Sequence, residues 1–257
     1  MNITKTIVYS LILILSQGLN AQTILIESTN ISFQSQLRPC LSANIDPEKN
    51  SLQKAWTSYI KTNHEIKFYK YKKSSDMNII YAEDITLPLV SLKRMNLYTS
   101  FIETTNGSEM KLFSSFGYDF FIGPDNFPKE FEAYKNMMYT FLTQYLTDFY
   151  SDEIKETSKR IKKLDKENIK LKKCVEKNRK KINNMKREIA SLNAVKETDS
   201  KKAIEALENI NSITREETKL ENENAKNAID INMTEEKLII RKSKLLKLQS
   251  KQKGLIN

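Results

Sequence analysis

The chain has 257 residues, of which 42 are Lys or Arg, 32 are Asp or Glu, one is His and two are Cys, for a formal net charge of +10. A single histidine excludes multi-histidine metal sites and relays, and two cysteines exclude the disulfide framework of small secreted domains. Charge of this sign leaves open nucleic acid, anionic polymers and the wet face of basic helices.

MNITKTIVYSLILILSQGLNAQ opens the chain with Lys5, an apolar run from Ile7 to Leu15 and a small-residue end at Ala21. This is the pattern of a secretory signal peptide cut after Ala21. The run is shorter than the roughly 20 residues a spanning helix needs. A periplasmic or extracellular protein beginning at Gln22 is expected, organised as residues 1–21 signal peptide, 22–150 an α+β domain, and 151–257 basic coiled-coil helices.

Within 22–150, TILIESTNISF (23–33) and CLSANI (40–45) read as strands. Asp46 and Pro47 then open a helix as N-cap and first-turn proline. Leu52, Ala55, Trp56, Tyr59 and Ile60 fall on one face of it, for packing on a sheet. EIKFYKY (65–71) and ITLPLVSL (85–92) are further strand candidates, and Pro88 places the latter at an edge or a bulge. Asn106-Gly107 is the dipeptide of a two-residue type I′ hairpin, in which both central residues take positive φ. From Pro128 a helix presents Phe131, Tyr134, Met138, Phe141, Leu142, Tyr145 and Phe149 as a wide aromatic face.

The two halves differ in grammar. Every Phe, Tyr and Trp falls at or before Tyr150, and no Gly or Pro stands between Pro128 and Gly254. Residues 1–150 hold 14 basic and 14 acidic residues, so the second half carries the whole net charge. There, apolar residues recur at a heptad spacing: Ile154, Ile161, Asn168, Val175, Ile182 and Ile189 at one position, and Thr157, Leu164, Leu171, Asn178, Met185 and Leu192 three later. The seam continues from Ala203 and Ala206 through Leu220, Leu238 and Leu248. Its phase is unbroken across KETDS (196–200), which suits one rod. Its charges suit a hairpin: residues 159–187 hold 14 basic and 3 acidic residues, residues 205–236 hold 3 and 9, and residues 237–257 hold 7 and none. A fold-back near 197 sets these against each other, and the basic end beside Asp148, Asp152, Glu153 and Glu156. An antiparallel hairpin is therefore expected, with rungs whose numbers sum to 395: Leu164 by Ile231, Asn168 by Asn227, Ile182 by Ile213, and less well Leu171 by Asn224 and Asn178 by Glu217.

In KKCVEKNRKKINNMKREI (172–189) the basic residues avoid the seam, so this run is a solvated helix face. Specific nucleic-acid reading also needs base-edge or stacking groups, and this half has no aromatic residue; no nucleic-acid partner is expected, and anionic envelope polymers are the polymer class that suits its charge. Cys174 stands more than 20 residues into the helix, about 30 Å at ~1.5 Å per residue, so it is out of disulfide range of Cys40. Two free thiols are expected, or an intermolecular link through Cys174.

His64 stands alone at a helix end, and Glu83-Asp84 and Asp152-Glu153 are adjacent pairs whose members diverge in a strand. Met137-Met138 reads as core filling. No phosphate loop, nucleophile elbow or Cys/His metal set is present. No catalytic, cofactor-binding or metal residue is assigned, and no enzyme is expected.

The reading is an exported, non-enzymatic structural or interaction protein that binds protein partners through its coiled coil. The plan of a β-containing body with basic helical arms and an exported address resembles that of the Skp-type periplasmic chaperones, although here the arms follow the body. That resemblance implies a holdase with a client between the arms of an oligomer. A third reading is a small-ligand carrier with a pocket between the sheet and the aromatic helix.

Overall fold

A computed structural model describes residues 24–71, 78–198 and 203–256. The expected signal peptide lies outside the described residues, as does part of KETDS. The elements are β1 (Glu27–Phe33), β2 (Gln36–Ile45), α1 (Lys49–His64), β3 (Tyr69–Lys70), β4 (Ile79–Leu87), β5 (Ser91–Thr104), β6 (Gly107–Ser115), α2 (Pro128–Thr198) and α3 (Ala203–Ile256). The chain is α+β, with an antiparallel sheet at its N-terminal end and long helices after it. It divides into two compact units: residues up to Asp152 together with those from Leu248, and Glu153–Lys247.

The first unit is built on a six-stranded sheet in the order β1-β2-β6-β5-β4-β3, every neighbour antiparallel. One face takes the helices. Leu52, Trp56 and Ile60 of α1 are buried with Phe131, Tyr134, Met138, Phe141 and Leu142 of α2, and the Trp56 indole N–H donates to Thr99 Oγ1 of β5 at 3.0 Å. The strand residues alternate accordingly. Met95, Leu97, Thr99 and Phe101 of β5 are buried on the helix side, while Tyr98 joins Phe33, Cys40, Ile79, Phe113 and Phe121 in a second core on the opposite face. Phe33 lies on edge strand β1, yet its ring centroid is 4.9 Å from that of Tyr98 on β5. Strands sit about 4.8 Å apart, and two strands intervene, so the β1–β2 hairpin curls over this face.

Two local expectations are corrected, the Asn106-Gly107 turn and the Asp46 cap. The type I′ pattern belongs to Gln34-Ser35 between β1 and β2, with φ of 53° and 62°. Between β5 and β6 the turn residues are Thr105 and Asn106, and neither takes positive φ; Gly107 is instead the first residue of β6, at φ 148°. A Cβ there would stand 2.0 Å from the Ile45 carbonyl oxygen, so close backbone approach is what requires this glycine. Pro88 sits in the turn between β4 and β5, directly after an irregularity in the register between Thr86 and Leu87, as its edge-or-bulge reading expects; a further one lies between Ala82 and Ile85. Helix α1 starts two residues later than its Asp-Pro signal, with Glu48 as N-cap, because Asp46 is engaged elsewhere. Its carboxylate accepts from the Tyr150 hydroxyl at 2.8 Å and pairs with Lys251. Lys251 belongs to the last turns of α3, where Leu248 and Leu255 are buried as well.

In the second unit the rod is excluded and the hairpin stands. Lys186 pairs with Glu217 at 3.2 Å, Lys172 with Glu235 at 2.7 Å and Lys244 with Glu153 at 2.7 Å. In a single helix, Lys186 and Glu217 would be about 45 Å apart at ~1.5 Å per residue. The basic segment does face the acidic one, and the basic end returns beside Glu153. Seam positions from Ile154 to Leu192 and from Ala203 to Leu248 are all buried or half-buried.

The register is one heptad away from the expected one. Lys186–Glu217 and Asn168–Glu235 sum to 403 and Cys174–Asn227 to 401, so the seam rungs sum to 402. Ile182 therefore faces Leu220, both buried, and not Ile213. The physical reason is the helix end. With neither Gly nor Pro to stop it, α2 persists to Thr198, and the fold-back falls past the point chosen from charge.

Candidate functional site

The sheet–helix layer, where a carrier pocket was expected, holds fully buried Trp56, Ile60 and Leu142. A cleft of about 590 Å³ lies on the opposite face, lined by Gln34, Tyr69, Lys70, Tyr71, Tyr81, Glu83 and Tyr98. Antiparallel pairing builds it. Tyr69 of β3 pairs with Tyr81 of β4, and Tyr81 with Tyr98 of β5, so three tyrosines form one row across three strands. Strand period places Tyr71 on the side of Tyr69, and Glu83 on that of Tyr81. Gln34 arrives from the β1–β2 turn, and its side-chain amide donates to the Tyr71 hydroxyl.

The rings make a corner. Tyr81 and Tyr98 are stacked at 6.3 Å and 15°, while Tyr71 stands at 87° to Tyr81 and 84° to Tyr98. Tyr98 is the buried floor; burial first, then the neighbouring Tyr71, raises its phenol above the usual range. Tyr69, 62% exposed, is the rim. The cleft thus combines apolar ring faces with phenol hydroxyls, one amide and one carboxylate, and Lys70 of β3, between Tyr69 and Tyr71, borders it.

The residues weighed from sequence fall mostly outside it. Glu83 lines the cleft, whereas Asp84, at φ 54° beside the bulge, holds the Arg94 guanidinium with both carboxylate oxygens. His64 ends α1 against the Tyr59 ring at 6.1 Å, and burial lowers its imidazole. Met137 and Met138 are buried in the helix layer. Glu153 pairs with Lys244 and Asp152 is exposed. Both cysteines are free thiols; burial pushes that of Cys40 up to about 11, with Lys111 opposing and Glu109 adding. Cys174 lies in the hairpin near Glu223 and Asn227. Among the described residues, no group of three or more His, Cys, Asp or Glu could hold a metal ion, and no helix is long and apolar enough to cross a membrane.

A second surface belongs to α3. It exposes Ile204, Leu207, Ile229, Met233, Ile239, Ile240 and Leu246, whereas among the described side chains of 153–194 the large apolar residue exposed on α2 is Ile169. At 100° per residue, Ile229, Met233 and Ile240 lie within about 40° of one another, on one line separate from the buried seam.

Sequence reasoning missed the cleft because its residues come from four elements. The available signal was the i, i+2 spacing of Tyr69 with Tyr71 and of Tyr81 with Glu83, which sets each pair on one side of its strand. No protein-family model, curated protein or solved structure matches this chain.

Proposed function

We propose that the protein is an exported, non-enzymatic interaction protein that self-associates through α3, pairing the hairpins of two copies into a four-helix assembly. The observation that carries this reading is the excess of apolar surface on α3 over α2. A two-helix hairpin needs one buried stripe from each helix; α3 has that stripe and a further line at Ile229, Met233 and Ile240. A second copy is the occupant that the charges favour. Antiparallel pairing of α3 about a two-fold near residue 234 sets Ile229 against Ile240 of the other copy. It also lays residues 212–232, with 5 acidic and 3 basic residues, beside the basic stretch 237–257, with 7 basic and no acidic residues. Export rests on the signal-like opening of the chain. The assembly would then present two sheet domains outside the cytoplasm.

Sedimentation equilibrium tests the reading. The protein from Gln22 onward is expected to be dimeric at micromolar concentration, and the double change Ile229→Glu and Ile240→Glu to be monomeric with unchanged helical circular dichroism. A monomer that resists association at 100-fold higher concentration overturns it, and suppression of aggregation of many unfolded clients by that monomer would put the holdase in its place. N-terminal sequencing of protein from its native host is expected to begin at Gln22; an intact Met1 on soluble cytoplasmic protein refutes export.

A further inference from the structure

The cleft on the sheet face goes beyond this reading, and its chemistry defines a ligand. We infer that it is a saccharide-binding site, taking a short neutral glycan segment against the tyrosine row.

Three ligand classes fit an aromatic cleft, and the lining groups separate them. A quaternary ammonium favours rings closed about one point and a carboxylate; Glu83 supplies the carboxylate, but Tyr69, Tyr81 and Tyr98 run as a row across three strands. A phosphate or carboxylate ligand would meet Glu83. A neutral polyol meets neither conflict. Its hydroxyl groups both donate and accept, and the cleft offers both functions: carboxylate acceptors on Glu83, an amide on Gln34, and phenols that do either. The C–H face of a pyranose ring is apolar and flat, which suits the exposed ring of Tyr69 and its partner Tyr81, 6.4 Å away. Tyr71, nearly perpendicular to the Tyr81–Tyr98 stack, walls the site and is itself steadied by Gln34. A volume of about 590 Å³ is within the range of organic-ligand sites and far larger than a single ion requires.

Each group has a distinct part. Tyr69 and Tyr81 hold the ring face, Glu83 accepts from ligand hydroxyls, and Gln34 donates to ring or glycosidic oxygens. Among the described residues the lining holds one carboxylate, Glu83, whereas glycoside hydrolysis in its usual form needs two flanking the bond; the assigned role is binding.

The test is isothermal titration of the protein from Gln22 onward with neutral hexasaccharides of glucose, of N-acetylglucosamine and of mannose, and separately with choline and inorganic phosphate. Saturable binding of at least one hexasaccharide is expected, weakened about tenfold by Tyr69→Ala, the loss of one aromatic face contact. Tyr69 is exposed, so this variant keeps its fold. Glu83→Gln, which keeps the shape and an acceptor oxygen but loses charge, is expected to weaken the same glycan less than Tyr69→Ala. Failure of all three glycans to bind, or binding indifferent to Tyr69→Ala, overturns the site. Binding of choline that Glu83→Gln abolishes makes it a cation cage, and binding of phosphate that Lys70→Ala abolishes makes it an anion site; either result also refutes the proposal. None of these outcomes depends on dimerisation, since the monomeric variant Ile229→Glu with Ile240→Glu keeps the cleft and is expected to bind the glycan with unchanged affinity per site.

Discussion

The register of the hairpin can be read by disulfide trapping. In a background with Cys40→Ser and Cys174→Ser, Ile182→Cys is combined either with Leu220→Cys or with Ile213→Cys. The cross-pairs Lys186–Glu217 and Cys174–Asn227 bracket the first combination, so its two thiols share a rung. The second pair is displaced by seven residues, about 10 Å along the axis at ~1.5 Å per residue, which exceeds the Cα separation of roughly 7 Å that a disulfide tolerates. Oxidation at low protein concentration, read by non-reducing electrophoresis and by mass spectrometry of the linked peptides, is expected to bridge 182 to 220 within one chain and to leave 182 and 213 unlinked. The bridge closes a loop of roughly 38 residues, and the loop-entropy relation puts its stabilisation near 4 kcal/mol, so the hairpin is expected to melt well above its reduced form. An intrachain bridge between 182 and 213, with none between 182 and 220, would refute the observed register and restore the sum of 395. Links formed only between chains would show that the helices of one copy pair with those of another.

Gly107→Ala is expected to cost about 2–3 kcal/mol in urea unfolding, because the added methyl meets the Ile45 carbonyl at 2.0 Å in a φ that L-residues avoid; an unchanged midpoint would show that the β6 backbone has room. The Cys40 thiol is raised from 9.0 to about 11, so the folded state holds its proton more tightly than the unfolded chain. Its contribution is complete below pH 9 and is lost as pH rises to about 11, by up to roughly 2 kcal/mol. The stability difference between the wild type and Cys40→Ala is expected to shrink across that window, and a constant difference would count against the burial of this thiol. We propose that residues 22–150 form a separable domain, helped by the end of α3: Leu255→Ala is expected to lower its stability by about 2 kcal/mol, followed by Trp56 fluorescence. If residues 22–150 alone stay unfolded while the whole chain melts cooperatively, the boundary near 150 is wrong.

What could be read from the sequence was what depends on period and composition. The heptad spacing named seam positions that the structure buries, and the face of α1 at Leu52, Trp56 and Ile60 followed from the 3.6-residue period. Charge alone chose the hairpin over the rod, since the heptad phase allowed both. Less was legible where a residue's role depends on a distant neighbour. Gly107 looked like a turn residue beside Asn106, yet its lack of a side chain is needed by Ile45 and Asp46, some 60 residues earlier. Asp46 looked like a helix cap, but Tyr150 and Lys251 claim its carboxylate. The second aromatic core was hidden because strands with two buried faces do not alternate polar with apolar, and the curl that carries Phe33 over Tyr98 leaves no local pattern. The cleft inherits that obscurity, being the open end of the same aromatic face.

The one-heptad difference shows what sets a register when the seam itself cannot. Sliding an antiparallel pair by seven residues keeps every seam position in the seam, so apolar burial barely distinguishes sums of 395 and 402. The polar rungs do distinguish them. At 395, Asn168 meets Asn227, but Leu171 meets Asn224 and Asn178 meets Glu217. At 402, Leu171 meets Ile231, Asn168 meets Thr234 with Glu235 accepting from its amide, Asn178 faces Asn224, and Asn227, opposite Val175, donates its amide to Cys174 Sγ. The Asn178 amide nitrogen and the Asn224 amide oxygen are both buried with no hydrogen-bond partner among the described residues, although the rung sets a donor and an acceptor at one level. Glu217, left beside Met185, is compensated by Lys186, whose ammonium it holds above the usual range with help from Glu221. A buried polar rung lowers stability and raises selectivity, because each wrong register strands its donors and acceptors against aliphatic neighbours. The four asparagines of this seam thus act with the absence of any glycine or proline near the turn: one chooses among heptads, and the other lets α2 run far enough for the chosen heptad to be reached.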